Sequence, residues 1–323
     1  MDRIKVAVVG AGYLGRQHAR IYASLDSVEL VGVVDKNPAV TDALTQEFQV
    51  PGFRDYRDIL ERASAVSLAV PTSEHAQIGC ALLEAGLDVL VEKPIASSLA
   101  QAEELIQTAE RRNRILQVGH LERFNPAVVE AQKIVTTPLF FEVHRLGVFT
   151  SRSLDIDVVL DLMIHDLDIV LSLVRRPVRA VSAVGLPILT GKIDIANARI
   201  EFENGCVANL TASRVSTEKV RKLRFFQPHQ YVSLDYTRQD VVVISVAAGQ
   251  PGGPPAISPR TIQTARIEPL KAELESFVES VRSRTPPAVS ASSAKDALQL
   301  AQVVVERIRE HGRSLDLEAF ARR

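Results

Sequence analysis

The chain has 323 residues, 46% hydrophobic and 24% charged, too many for one ordinary small core and suited to a globular protein of two domains. Its net charge of −1, from Lys+Arg 38 against Asp+Glu 39, excludes a global field that would draw it to nucleic acid or to an acidic membrane surface. No apolar run approaches transmembrane length and the start "MDRIKVAVVG" carries no signal core, so a cytoplasmic protein without a membrane partner is expected.

In chain order, short β-rich apolar runs alternate with helical patterns over the first 120 residues, as in a parallel α/β sheet. Strands are predicted over 4–10, 28–35, 65–70, 87–92 and 115–119. Helices are predicted from Leu14, from Pro38, over 73–85 with Gly86 as its stop, and over 99–112. The second half changes character. An apolar helix over 161–174 precedes strands at 178–189, 195–202, 206–215, 221–227, 231–236 and 240–246. The turns Asn204-Gly205 and Pro228-His229 favour antiparallel neighbours, and 249–259 reads as a Gly/Pro-rich loop or excursion. Helices over 270–284 and 293–312 close the chain. The expected fold is α/β: an N-terminal Rossmann domain, 1–120, then a C-terminal α/β domain, 121–323, built on an open, largely antiparallel sheet. The closing helices could pack back on the first domain. Cys80 and Cys206 lie far apart without metal-ligand spacing and read as free thiols of a reducing compartment.

"VAVVGAGYLGRQHARIY" sets Gly10, Gly12 and Gly15 in G-x-G-x-x-G spacing between a strand and a helix, the context that turns a weak pattern into a dinucleotide loop. Gly10 permits the tight turn, Gly12 lets a pyrophosphate approach the backbone and Gly15 allows close helix–strand packing. Asp35 ends the next strand, twenty residues beyond Gly15, where a carboxylate accepts hydrogen bonds from a ribose diol. Such a carboxylate repels a 2′-phosphate, so NAD is favoured over NADP; Lys36 softens that preference without reversing it.

Glu92-Lys93-Pro94 follows another parallel strand, at the sheet edge where open α/β proteins bind ligands. In "DLMIHDLDIVLSLV" an otherwise apolar helix carries Asp161, His165 and Asp168 on one stripe at ~100° per residue, with Asp166 pointing elsewhere. Ionisable groups on such a helix need partners or chemistry. No partner cluster with ligand spacing accompanies them, so no metal is expected.

These motifs, in this order and with a closing pattern like "EPLKAELESFVESV", resemble the glucose–fructose oxidoreductase / inositol dehydrogenase / MocA family over nearly the whole length. The resemblance implies that Lys93 and His165 are the catalytic pair with Asp161 beside them. His165 suits removal of a hydroxyl proton near neutrality. Lys93 either stabilises the developing alkoxide or is itself the base; both assignments stay open. The cofactor set so implied is Gly10, Gly12, Tyr13, Leu14, Gly15, Asp35, Lys36, Pro71, His75, Glu92 and Lys93. His75 and His120 either line the nicotinamide pocket or are ordinary loop histidines, and Asp168 reads as structural.

"VGHLERFNPAVVEAQ", with 151–174, is similar to the branch of the family acting on UDP-linked N-acetylhexosamines. That likeness implies NAD-dependent oxidation of UDP-N-acetylglucosamine to its 3-keto form, for an aminotransferase on the way to 2,3-diamino sugars of lipid A. Inositol or a free monosaccharide is the same-class alternative; a non-catalytic dinucleotide-binding sensor is the alternative of another class. Substrate contacts are expected from Lys93, Arg123, Asn125, Asp161 and His165, with Glu122 beside them. Arg123 and Asn125 equally suit an interdomain hinge. Arg123, Arg152 or the strand bearing Lys219, Arg221, Lys222 and Arg224 could meet a diphosphate, although the strand also reads as a solvated face. The resemblance further implies a homodimer or homotetramer joined through the C-terminal sheet.

Overall fold

The computed structural model describes residues 3–150, 156–248 and 254–313. They divide into two compact units: the chain up to Leu121 together with Glu268–Asp296, and Glu122–Ile267 together with the chain from Ala297.

In the first unit a parallel sheet runs in the order β3-β2-β1-β4-β5-β6. Its strands are β1 (Ile4–Val9), β2 (Val28–Val34), β3 (Gly52–Phe53), β4 (Ala65–Leu68), β5 (Asp88–Glu92) and β6 (Leu116–Gly119). Strands β4, β5 and β6 are buried at every residue, the mark of a parallel sheet covered on both faces. Helices α1 (Tyr13–Ser24), α2 (Pro38–Phe48), α3 (Thr72–Glu84) and α4 (Leu99–Arg112) connect the strands. Local chemistry starts and stops them. Asn37 caps α2 by accepting from the Ala39 amide, with Pro38 at the first helical position. Ser98 caps α4, whose last turn holds Arg111 and Arg112 against the negative end of the helix dipole. The strand order is the doubly wound one that reverses between β1 and β4, so ligands belong at the carboxyl ends of those strands. Strand β3 is too short for a periodicity signal; its Phe53 ring lies against Gly32, where a Cβ would come within 2.6 Å of it.

The division at 120/121 leaves room for the closing helices to pack back on the first domain, and α7 (Pro269–Ser283) is grouped with the first unit. The cause is an apolar stripe: Leu274, Phe277, Val278 and Val281, at helical spacing, share one core with Val6, Val8, Ala19 and Tyr22. Helix α8 (Ala291–Arg313) begins in the first unit and continues in the second.

The second unit holds an eight-stranded sheet in the order β14-β13-β12-β11-β7-β10-β9-β8. Strands β8 (Val178–Leu186), β9 (Ile195–Phe202), β10 (Val207–Ser213), β11 (Val220–Gln227), β12 (Gln230–Asp235) and β13 (Asp240–Ala247) follow the expected runs. Gly205, at φ +82°, and His229, at φ +60°, turn the two hairpins as the Asn-Gly and Pro-His pairs suggested. Three elements went unseen in the sequence. Strand β7 (Phe140–Leu146) lies mid-sheet, parallel to β10 and antiparallel to β11, in a sheet otherwise paired antiparallel. Its buried face is Phe141, Val143 and Arg145, and the arginine disguises the alternation. Strand β14 (Ala256–Gln263) pairs with β13 at the sheet edge, where Pro259 is tolerated, so the Gly/Pro-rich stretch runs into a strand. Helix α5 (Pro126–Ile134) starts from Asn125. A π-turn, Val159–Met163, leads into α6 (Ile164–Val174), and one apolar core joins α5, α6 and α8 to the sheet. No helix among the described residues is long and apolar enough to cross a membrane.

Candidate active site

The glycine loop is built by backbone packing. Gly10 sits at φ +88°, and a Cβ there would lie 2.5 Å from the carbonyl of Ala69. A Cβ on Gly15 would come within 1.8 Å of the Gly10 carbonyl oxygen, so this glycine closes the loop on itself more than on the strand. Gly12 is different: nothing lies within 4 Å of its missing Cβ, and no side chain caps the start of α1. Space and helix-terminal amides together fit a pyrophosphate. Tyr13 and Leu14, 63% and 38% exposed, and the exposed Pro71 border the same sheet edge.

Asp35 accepts from the Ala11 amide through Oδ2 and from the Asn37 amide through Oδ1, each at 2.9 Å. Each oxygen keeps a lone pair for a ribose hydroxyl. Lys36 donates to Glu74 at 2.7 Å, which ties down the cation expected to soften the preference for NAD. The residues present therefore fit a dinucleotide with an unphosphorylated ribose.

Two members of the expected cofactor set turn inward. His75 is buried, with Nε2 2.9 Å from the Val70 carbonyl and Nδ1 2.9 Å from that of Pro94. Burial pushes its pKa down despite the two carbonyls. Its ring lies between the loop after β4 and the loop after β5, and in either neutral tautomer its one N–H donates to one of these carbonyls. Glu92 is buried too; Oε1 lies 3.1 Å from His18 Nε2, and Oε2 accepts from the Lys93 amide at 3.2 Å. Burial alone would raise this carboxyl, but His18 and Lys93 outweigh it and hold its pKa below the ordinary value. Lys93 is half-buried at the carboxyl end of β5. His120 is buried as well.

In the second unit His165 is buried in the first turn of α6, and half-buried Asp161 lies in the π-turn before it. That wider turn takes Asp161 off the regular α-helical spacing assumed for the stripe. The flanking acids are occupied by arginines. Arg123 grips Asp168 at 2.6 and 2.9 Å, and Arg145 grips Asp166 at 2.7 and 2.9 Å while a third nitrogen donates to Glu122 at 2.9 Å. Arg145 also stands over the Tyr236 ring, 5.1 Å from its centroid. Although burial opposes its charge, Asp166 and Glu122 push the Arg145 pKa well up. Tyr236 is raised by burial and then by Asp166.

Asn125, expected at the substrate or at a hinge, is engaged within its own unit. It is buried, its Oδ1 accepts from the Ala127 amide as the cap of α5, and its Nδ2 donates to the Tyr236 carbonyl at 3.0 Å and to Glu122 at 3.3 Å. Its hydrogen-bonding groups are engaged inside the unit. Arg123, expected at the substrate or at an interdomain hinge, is engaged by Asp168 through Nε and Nη2. On β11, Lys222 and Arg224 lie on the face away from the core, whereas Arg221 lies on the core side, 4.0 Å from Glu122. Arg152 lies outside the described residues. His18, Arg145 and Glu273 were not singled out from sequence. A lone polar residue on the apolar face shared by Ala19, Ile21 and Tyr22 was the available signal for His18.

Comparison with known proteins follows the same division. The model of an oxidoreductase family with an NAD-binding Rossmann fold matches residues 4–120, and that of the GFO/IDH/MocA C-terminal domain matches 137–227. A UDP-N-acetylglucosamine 3-dehydrogenase of Acidithiobacillus ferrooxidans is 36% identical over 287 residues, 88% of this chain and 91% of the relative. Its crystal structure superposes with a TM-score of 0.90 over 95% of this chain and 98% of that one. A myo-inositol 2-dehydrogenase of Thermotoga maritima is 25% identical over 98% of this chain and 99% of its own. The fold is shared with a scyllo-inositol dehydrogenase of Lactobacillus casei solved with NAD(H) and scyllo-inositol, at TM-score 0.81 over 96% and 98% of the two chains and 19% identity.

Proposed function

Because the chain belongs to the GFO/IDH/MocA family of NAD-binding oxidoreductases, we propose that it oxidises the C3 hydroxyl of UDP-N-acetylglucosamine to a ketone. The observation that carries this reading is the 36% identity, over 88% of the chain, to a UDP-N-acetylglucosamine 3-dehydrogenase. The cofactor accepts the hydride when bound. Gly12 and the amides opening α1 are the groups that would receive its pyrophosphate, and Asp35 its ribose.

His165 and Lys93 divide the remaining work. As the C–H hydride leaves, the hydroxyl proton must leave too, and an imidazole is suited to take it near neutrality. Lys93 donates a hydrogen bond where negative charge develops on oxygen, which lowers the barrier most in a site screened from water. Asp161 orients the imidazole or the sugar. The arginine pairs of Asp166 and Asp168 brace α6 in the turn that follows His165.

The product ketone suits an aminotransferase as the next enzyme, consistent with 2,3-diamino sugars for lipid A made in the cytoplasm. A homodimer or homotetramer through the open sheet is supported by aromatic residues on the face away from the core. Phe140 and Tyr231 lie 5.7 and 5.1 Å, centroid to centroid, from Phe226.

The test is NADH formation from NAD and UDP-N-acetylglucosamine, pulled by a coupled aminotransferase, beside free N-acetylglucosamine, myo-inositol and NADP. NADH with the UDP-sugar and a C3 ketone by NMR is the expected result. NADH with myo-inositol alone would keep the dehydrogenase and discard the nucleotide sugar.

A further inference from the structure

Helix α1, whose start would seat the pyrophosphate, sends one polar side chain into the interior. His18 is fully buried, and both ring nitrogens have a polar neighbour: Nδ1 lies 3.1 Å from Ser67 Oγ on β4, and Nε2 lies 3.1 Å from Glu92 Oε1 on β5. Ser67 is itself held, 2.9 Å from the hydroxyl of buried Tyr22.

On the far side, Gly119 of β6 walls in the Glu92 carboxylate, and a Cβ there would lie 3.0 Å from its Cδ and Oε2. The carboxylate's free oxygen accepts from the Lys93 amide, so the buried pair reaches the backbone of the lysine at the strand end. A buried polar pair is no better for stability than apolar packing of the same volume. Its placement, from the dinucleotide helix to the residue before Lys93, gives it a use.

We propose that His18 and Glu92 are positioning residues that fix the backbone from which Lys93 reaches the reacting oxygen. This rests on the assignment of Lys93 as a catalytic group. Neither residue touches the substrate; they act through Lys93, and small misplacements of a catalytic group carry large rate penalties.

The experiment compares His18→Leu, His18→Gln, Glu92→Gln and the control Lys93→Met in the full-length protein, with whichever alcohol the wild type oxidises. His18→Leu and Glu92→Gln are expected to lower kcat by about tenfold or more with NAD affinity, by calorimetry, within about twofold. His18→Gln, whose amide can still donate to Glu92, should recover most of that loss. A shift in Tm with kcat unchanged in both His18→Leu and Glu92→Gln would overturn the proposal and leave an ordinary core histidine. If His18→Leu does not fold, Glu92→Gln and His18→Gln decide between these outcomes. An activity-free readout runs beside these: the rate at which trinitrobenzenesulfonate labels Lys93, by peptide mass spectrometry with Lys271 as reference. A change of about threefold or more in Glu92→Gln supports the proposal, and an unchanged rate overturns it. Wild-type turnover in Lys93→Met would instead discard the Lys93 assignment, whatever the labelling shows.

Discussion

Arg123 holds Asp168 with two parallel hydrogen bonds, Nε to Oδ2 at 2.6 Å and Nη2 to Oδ1 at 2.9 Å. The same bidentate geometry recurs two residues earlier on α6, where Arg145 grips Asp166. One arginine comes from the segment entering α5 and the other from central strand β7, so the two acids that follow His165 tie its helix to two separate elements. An apolar helix tolerates these charges because each is neutralised and hydrogen-bonded where it is buried.

Removing one partner should therefore be costly. Asp168→Ala leaves a mostly buried guanidinium without its carboxylate and should lower unfolding free energy by about 3 kcal/mol, read by urea denaturation. Arg123→Lys should cost less than Asp168→Ala, since lysine keeps the charge and loses the fork. A loss below about 0.5 kcal/mol for Asp168→Ala would mean that the pair behaves as an exposed surface bridge.

Lys93→Met and His165→Asn address chemistry rather than folding. Each should reduce kcat by about a hundredfold or more while NAD affinity by calorimetry changes by less than about threefold. Retention of wild-type turnover by both would discard the catalytic pair.

The sequence showed most of the dinucleotide unit because parallel strands buried on both faces are written as apolar runs, and because the roles of Gly10 and Asp35 follow from backbone space and strand position. It showed less of the second unit for the opposite reason. Arg145 is a buried charge on the core face of β7, and a charge at a core position hides the alternation that reveals a strand. Pairings between distant segments, such as Arg123 with Asp168 or His18 with Glu92, leave no local pattern at all. The residue types at 92 and 125 suit ligand binding, while their burial and long-range partners are invisible to local pattern.

Asp35→Ala should weaken NAD by about ten- to a hundredfold, the cost of hydrogen bonds to a charged acceptor. Part of that loss is indirect, since the Ala11 amide in the glycine loop would lose its acceptor. The NADP to NAD preference should rise, though modestly, because Lys36 remains engaged by Glu74. Calorimetry with both cofactors measures this, and unchanged NAD affinity would remove Asp35 from the ribose site.

Glu273 predicts an unusual pH dependence. Its carboxyl is fully buried on α7, and neither oxygen has a hydrogen-bond partner among the described residues. Burial first, and then the nearby Glu92 carboxylate, push its pKa well above 4.5. With the folded value above the unfolded one, the carboxyl is neutral in both states at low pH, and its contribution to stability is fully present there. As pH rises past the unfolded value, the unfolded chain ionises while the folded chain holds its proton. Stability then falls by up to about 1.4 kcal/mol per pH unit until the folded group also titrates. Glu273→Gln removes that slope and leaves other carboxylates in place. Urea unfolding at pH 5 and pH 8 should show the variant gaining more than about 1 kcal/mol on wild type between the two. Equal pH slopes for variant and wild type would mean that Glu273 ionises in the folded protein as it does in the unfolded chain.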